Sequence, residues 1–216
     1  MSFFYRLHAQ EAHRYPATDL PLWARQAILA AIQEAWAEAL REALPLPDED
    51  DTTAILAALI TRLRADATRV PAFNTRFSLA VSDGRYATFN AGKLHKRPDL
   101  IFRLADEVDE NVGWFVECKI VDATHKPGLY QKKGINRFIA GDYAWAMPTA
   151  LMIAYAGDTY TLPDKLTEIV GVAPVLCPDL GTWRTRHDRT WCYPETLRTA
   201  GPIELHHLWL HGARFE

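Results

Sequence analysis

A continuous apolar run, Ala150–Ala156 (ALMIAYA), lies between turn-forming residues in the second half of the sequence. Such a run is typical of a strand that is buried on both faces, as the strands of a parallel sheet are. Directly before it, apolar residues recur on one side of a predicted helix over Leu129–Met147, and Gly113–Val121 (GWFVECKIV) predicts a strand before that helix. A helix between two strands is the crossover that parallel pairing requires, so the sequence predicts an α/β fold.

Two helices are predicted before this unit, from apolar periodicity and from start and stop signals. The first, which begins near Pro21, ends at about Leu44. The second is predicted over Thr52–Ala67, with Thr52 or Thr53 as its cap.

Further strands are predicted on both sides of the crossover from alternating or short apolar runs. The segments before it are Phe73–Val81 (FNTRFSLAV) and Asp99–Leu104 (DLIFRL). The segments after it, which we expect to extend the sheet or to cover one edge, are Val172–Leu176, Trp191–Tyr193 and Ile203–Leu210. The expected order of the core is therefore helix, three strands, helix, strand, with an N-terminal helix before it and a C-terminal β-rich extension after it.

The chain of 216 residues is long enough for one domain with a hydrophobic core and short for two. No internal repeat or low-complexity linker marks a domain boundary. We therefore expect a single domain over residues 1–216, with an N-terminal helical segment at 1–50, a core at 51–157, and an extension of the sheet at 158–216.

Composition and charge indicate the class of protein, but they do not indicate which partner it binds. No apolar stretch approaches the roughly 20 residues needed to span a bilayer, and the N-terminus lacks the pattern of a signal peptide. The 3 cysteines are odd in number and widely spaced, which favours a reducing compartment and predicts a cytoplasmic protein. The net charge of −3 provides no global attraction to nucleic acid, but basic clusters occur at Lys93–Arg97, Lys126–Arg137 and Arg184–Arg189.

Charged residues interrupt two of the predicted strands. Asp99 begins one strand, and Glu117 and Lys119 lie inside the next. Side chains at i and i+2 of a strand share a face, so Glu117 and Lys119 project together while Cys118 points away. The acidic stretch Asp106–Asn111 predicts a turn between the strands, and an antiparallel hairpin would bring Asp99 close to Glu117.

The apolar neighbours of these three charged residues make the burial of the charges costly unless they are paired or bind a metal. Hydrolysis of a phosphodiester would use all three. Asp99 and Glu117 supply hard oxygen ligands of the kind that Mg²⁺ prefers, and such a metal lowers the pKa of a bound water. Lys119 could orient or deprotonate that water, or neutralise the developing oxyanion. A cross-strand salt bridge between Asp99 and Lys119, with Glu117 facing solvent, is the structural alternative.

The residues Pro98-Asp99 and Glu117-x-Lys119, in this order of elements, resemble the PD-(D/E)xK nuclease superfamily. The resemblance implies a restriction-endonuclease-like core with a mixed central sheet flanked by helices. It also implies a Mg²⁺-dependent endonuclease, with Mn²⁺ as a substitute, in which Asp99, Glu117 and Lys119 are catalytic and Asp99 and Glu117 bind the metal. DNA is the expected substrate before RNA, in restriction or phage defence. The resemblance is compatible with a protein partner subunit and with a homodimer.

Many members of this superfamily carry a further acidic residue on the first helix of the core. The helix predicted over Thr52–Ala67 has none before Asp66, so Glu34, Glu38 and Glu49 are the candidates. The alternative function is a catalytically silent subunit that is used for binding or assembly.

Basic and polar residues after the motif are candidates for contacts with nucleic acid, because Lys and Arg give sequence-independent affinity for phosphates. The candidates are Gln131, Lys132, Lys133, Arg137, His187 and Arg189. The first four would lie on a helix that begins beside the metal site, where a solvated basic face is the alternative interpretation. The last two would form a second contact, for which an exposed strand pair with a turn is the alternative.

Overall fold

The computed structural model describes residues 15–42, 45–66, 68–78, 97–123, 125, 128–157, 159–193 and 198–215. The helices are α1 (Leu22–Glu42), α2 (Glu49–Ala65), α3 (Asn136–Ile139) and α4 (Asp164–Val170), and a π-helical segment, Tyr130–Ile135, leads directly into α3. The strands are β1 (Leu100–Phe102), β2 (Trp114–Val121), β3 (Thr149–Ala156), β4 (Val175–Cys177), β5 (Thr182–His187) and β6 (Ile203–Leu210).

The strands form one mixed sheet in the order β1-β2-β3-β6-β5-β4. β1 is antiparallel to β2, whereas β2 with β3 and β3 with β6 are parallel pairs. Two antiparallel pairs, β6 with β5 and β5 with β4, extend the sheet on the far side. The predicted parallel pairing across the crossover and the extension of the sheet by C-terminal strands are therefore confirmed.

Helices pack against both faces of the sheet, which explains why β2 and β3 are buried along their whole length. α1 and α2 cover one face, where they pack against Cys118 and Tyr155 among others. The π-helical segment, α3 and α4 cover the other face, where they pack against Phe115 and Met152. In the described part of the chain, no helix combines the length and the apolarity needed to cross a membrane.

α2 begins three residues earlier than the sequence predicts, and this shift matters for the site. Asp48 is the N-cap, and its side chain accepts a hydrogen bond from the backbone N–H of Asp51. The expected caps Thr52 and Thr53 are therefore wrong, because both lie inside the helix. Acidic residues in the first turn are stabilised by the helix dipole, so the acidic run starts the helix and places Glu49 at its first position.

The helix predicted over Leu129–Met147 is shorter than expected, because it ends at Ile139. Gly141, with φ of 72°, turns the chain away from the helix axis. Before that, Gly134 packs the π-helical segment closely onto β3, since a Cβ on this residue would lie only 2.5 Å from Cε of Met152. The residues from 140 to 148 form a loop instead of a further helical turn.

The strand predicted over Phe73–Val81 is not found in its described part, residues 73–78. That part consists of turns with one isolated antiparallel bridge, between Phe77 and Leu104, and residues 79–81 lie outside the described residues. Within the described residues, only two strands therefore stand between α2 and the crossover, instead of the three expected. The segment Trp191–Tyr193 likewise contributes a single bridge, at Cys192, instead of a strand.

Candidate functional site

The antiparallel pairing of β1 with β2 brings Asp99 opposite Glu117. Leu100 pairs with Val116 in the register, and Asp99 is the next residue along, where its N–H donates to the carbonyl oxygen of Val116 at 3.0 Å. The Asp99 side chain turns back to β2 and accepts a hydrogen bond from the backbone N–H of Cys118 at 2.6 Å. The predicted proximity of Asp99 and Glu117 is therefore confirmed.

Glu49 adds a third carboxylate beside Asp99 and Glu117. Its Oε2 accepts a hydrogen bond from the backbone N–H of Ile120 at 3.1 Å. β1 is shorter than β2 and does not reach Cys118 or Ile120, so the two carboxylates accept amides that a longer strand would have paired. The other candidates for the third acid, Glu34 and Glu38, instead form ion pairs with arginines such as Arg69.

Lys119 lies among the three carboxylates. Its Nζ is 2.6 Å from Glu49 Oε1, 2.9 Å from Glu117 Oε1 and 3.8 Å from Asp99 Oδ2. Burial alone would lower the pKa of Lys119, but the carboxylates of Glu117, Asp99 and Glu49 together raise it above its usual value. The ammonium therefore stays charged at neutral pH.

Glu117 is the most enclosed of the three acids, with 0% of its side chain exposed. Arg137 Nη1 donates to Oε1 at 2.7 Å, and the Tyr143 hydroxyl donates to Oε2. Burial, followed by the negative charge of Asp99, raises the pKa of Glu117 to about 7, although Lys119 and Arg137 oppose the shift. The alternative interpretation is wrong in placing Glu117 at the solvent, whereas the ion pair that it expected between Asp99 and Lys119 is present.

The donor set suits a hard divalent cation. In the described part of the chain, no three Asp, Glu, His or Cys side chains form a ready-made metal site. Mg²⁺, however, is usually held by one or two carboxylates and keeps several waters, so the facing carboxylates of Asp99 and Glu117 fit it chemically. A cation would compete with Lys119 and Arg137 for these oxygens. The partly exposed side chains of Asp99 and Glu49, at 25% and 32%, form the open side of the cluster.

The candidates for nucleic-acid contacts after the motif divide into two kinds. Lys132 and Lys133 are exposed on the π-helical segment, and Gln131 beside them is partly buried. Arg137 belongs to the site itself, because its guanidinium is held by Glu117. The segment therefore carries two exposed lysines shortly before an arginine that is already paired with a site carboxylate.

The second candidate contact is placed differently from the expectation. His187 ends β5, which β3 and β6 separate from β2, and its Nε2 hydrogen-bonds the Thr185 hydroxyl at 2.7 Å. Arg189 is 3% exposed, and its guanidinium donates to backbone carbonyl oxygens, among them that of Gly201 at 2.9 Å. This placement assigns Arg189 to the packing of the fold instead of to a nucleic-acid contact, because a buried guanidinium does not reach a phosphate.

Tyr143 is a site residue that the sequence does not reveal. It falls within the helix predicted over Leu129–Met147, whereas it lies in a loop and donates a hydrogen bond to Glu117. No local pattern distinguishes it from the other buried aromatic residues of the segment.

No family model matches the chain, and comparisons with curated proteins and with solved structures likewise found no match. The class of the fold is therefore described from the structure itself, as an α/β fold with a mixed, open six-stranded sheet flanked by helices.

The first prediction concerns the stability that Lys119 contributes. Replacing it in a Lys119→Met variant leaves three carboxylates with Arg137 as the remaining cation, so the free energy of unfolding should fall by about 3 kcal/mol at pH 8 without added metal. The loss should shrink towards pH 5, because Glu117 takes up a proton below a pKa of about 7 and then needs no counter-ion. Urea unfolding at both pH values measures this difference.

Lys132→Met is the matched control, because Lys132 is exposed and forms no part of the cluster. Its unfolding free energy should stay within about 0.5 kcal/mol of the unsubstituted protein at both pH values. A Lys119→Met loss that is absent, or equal at pH 5 and pH 8, contradicts the described charge balance.

Proposed function

We propose that the chain is a metal-dependent nuclease that hydrolyses phosphodiester bonds, with DNA as the substrate that the PD-(D/E)xK resemblance implies. The observation that carries this proposal is the facing pair Asp99 and Glu117, with Lys119 on the same strand as Glu117 and its ammonium between them. The order α2, β1, β2, crossover and β3 agrees with a restriction-endonuclease-like core except that, within the described residues, two strands instead of three precede the crossover. Glu49, in the first turn of α2, supplies the further acid that the resemblance calls for.

Each residue of the cluster has a role in this proposal. Asp99 and Glu117 would hold the metal, with Glu49 beside them. When bound, a divalent metal stabilises charge on the phosphate and lowers the pKa of its water. In the metal-free protein the surrounding carboxylates raise the pKa of Lys119 and keep its ammonium protonated, so Lys119 would enter the reaction as a positive charge. It would orient the attacking water or neutralise the negative charge that develops on the phosphate.

Surface charge would guide the nucleic acid. Lys132 and Lys133 are exposed on the segment that packs over β2 and β3, and they precede Arg137 in the sequence. Their charges would bind the backbone without reading sequence, as phosphate contacts do. A role in restriction or phage defence follows from the resemblance, and a cytoplasmic location, which the cysteine pattern favours, belongs to the same proposal.

A second function is favoured by one observation, that the cluster is satisfied without any ligand. Asp99 and Glu49 accept the edge amides of β2, and Lys119 and Arg137 balance the carboxylates. In a catalytically silent subunit that serves binding or assembly, these interactions would be purely structural. Metal affinity and cleavage separate the two functions.

The second prediction tests catalysis directly. The purified chain should cut DNA in Mg²⁺ or Mn²⁺ and not in EDTA, and Asp99→Asn, Glu117→Gln and Lys119→Met should each lower the rate at least 100-fold, as expected for groups that bind the metal or stabilise the transition state. Supercoiled, linear and single-stranded DNA and RNA are offered in parallel. Calorimetry should show metal binding that the Asp99→Asn/Glu117→Gln double variant loses.

Two controls make this result specific. Glu34→Gln removes a carboxylate that pairs with Arg69 away from the cluster, and it should leave cleavage and metal binding unchanged. Circular dichroism should show that each inactive variant keeps its fold. Undiminished metal binding by the double variant would end the assignment, and metal binding without any cleavage would favour the silent subunit.

The third prediction concerns positioning of the nucleic acid. The Lys132→Ala/Lys133→Ala variant should bind labelled DNA more weakly, and the slope of log affinity against log salt should become shallower by up to about two units for two lost phosphate contacts. Fluorescence anisotropy in Ca²⁺ across a salt series measures both quantities.

Arg184→Ala/Arg186→Ala is the comparison variant, since it also removes two positive charges, those of the partly exposed Arg184 and the exposed Arg186 on β5, which pair with Glu204. It should leave the affinity and the slope close to those of the unsubstituted protein. If the β5 variant loses affinity while the lysine variant does not, the contact surface lies on β5 instead.

A further inference from the structure

Tyr143, which donates a hydrogen bond to Glu117, lies in the loop formed by residues 140–148. Tyr143 is 1% exposed, and its ring packs edge-on against Phe138 with the ring centroids 5.0 Å apart. Its hydroxyl donates to Oε2 of Glu117, while Arg137 donates to Oε1. The two donors thus fix both oxygens of a carboxylate that, under the proposed function, binds a metal.

The loop has an unusual backbone directly after Tyr143. Ala144 has φ of 52°, in the left-handed region that residues other than glycine rarely adopt. Among the residues that the structure describes, it is the one residue other than glycine with a positive φ. Such a conformation persists where surrounding contacts determine it.

Arg189 supplies several of those contacts. Its Nη1 donates to three carbonyl oxygens of the loop, at 3.4 Å to Ala144, 3.3 Å to Trp145 and 3.3 Å to Met147. Nε and Nη2 donate to Gly201 and Ala200, so the guanidinium bridges the loop and the segment before β6. No carboxylate forms an ion pair with it within the described residues. A buried charge without a counter-ion is costly, so we infer that the guanidinium of Arg189 serves to fix the positions of these carbonyl groups.

Two aromatic residues close to Arg189 bond the same loop and the helix end directly before it. The Tyr193 hydroxyl donates to the carbonyl oxygen of Trp145 at 3.1 Å, and Trp191 Nε1 donates to that of Ile139 at 3.0 Å. The Arg189 guanidinium lies 5.3 Å from the centre of the Trp191 ring, so these side chains form one unit. We call Arg189, Trp191 and Tyr193 the buttress.

We propose that the buttress positions the candidate metal site, by holding the loop that aims Tyr143 at Glu117. This inference rests on the proposed function, because it assumes that Glu117 is a metal ligand. Groups behind a metal ligand fix its orientation, and their loss typically weakens metal binding by about 10-fold to 100-fold. The C-terminal extension is then part of the site, although β3 and β6 separate β5 from the strand that carries Glu117. Tyr143 and the buttress are positioning residues that act through Glu117.

The fourth prediction follows from this route. Tyr143→Phe removes one hydroxyl and keeps the ring, so calorimetry on the full chain should give a dissociation constant for Mn²⁺ at least about 10-fold higher. Tyr193→Phe should raise it by a smaller factor. The Tyr143→Phe/Tyr193→Phe double variant should bind Mn²⁺ no more weakly than Tyr143→Phe, because Tyr193 acts through Tyr143. Tyr155→Phe, which loses a buried hydroxyl bonded to Thr53 on the other face of the sheet, should bind as the unsubstituted protein does.

The outcomes separate this inference from the proposed function. An unsubstituted protein that binds no Mn²⁺ overturns both. If the unsubstituted protein and Tyr143→Phe bind Mn²⁺ with the same dissociation constant, the positioning role alone is overturned. If the two substitutions weaken Mn²⁺ binding independently in the double variant, Tyr193 does not act through Tyr143. If Tyr143→Phe does not fold, Tyr193→Phe decides, and an unchanged dissociation constant in that variant overturns the proposal.

Discussion

The Lys119 ammonium holds together three carboxylates that come from different parts of the chain. Glu49 begins a helix on one side of the sheet, Asp99 precedes the short edge strand, and Glu117 lies on the neighbouring strand with Lys119. Each acid would be costly to bury alone, and burial of the cluster becomes tolerable because each of the three carboxylates accepts hydrogen bonds or forms ion pairs with edge amides and cationic side chains. The same arrangement leaves two of the acids partly exposed, so a cation from solvent can compete for them.

The rest of the fold serves this cluster through two constraints. The three-residue length of β1 leaves amides of β2 free to bind carboxylates, which makes the edge of the sheet a site instead of a continuous ladder. Close packing of Gly134 on β3 brings the π-helical segment and α3 over the second face, where Arg137 reaches Glu117. π-helical turns are uncommon and often mark functional sites, which agrees with this position.

The parts of the site that depend on local patterns were predictable, and the parts that depend on distant packing were not. Alternation along two strands and a turn between them suffice to place Asp99 beside Glu117 and Lys119. Glu49 was one of three candidates, because the sequence does not show which residue of an acidic run starts a helix. Arg189 was expected at a surface, since a basic run looks the same whether its members are solvated or, as here, bound to backbone carbonyls.

The central claim is that this charge cluster is a metal site at which Lys119 is the resident cation. Anomalous diffraction from crystals soaked in Mn²⁺ tests it most directly, because the signal locates the metal without relying on activity. The account predicts an anomalous peak in contact with carboxylate oxygens of Asp99 and Glu117, with Lys119 or Arg137 displaced from at least one of them. A saturating soak that leaves no peak there, with Lys119 still bound between the carboxylates, would contradict it.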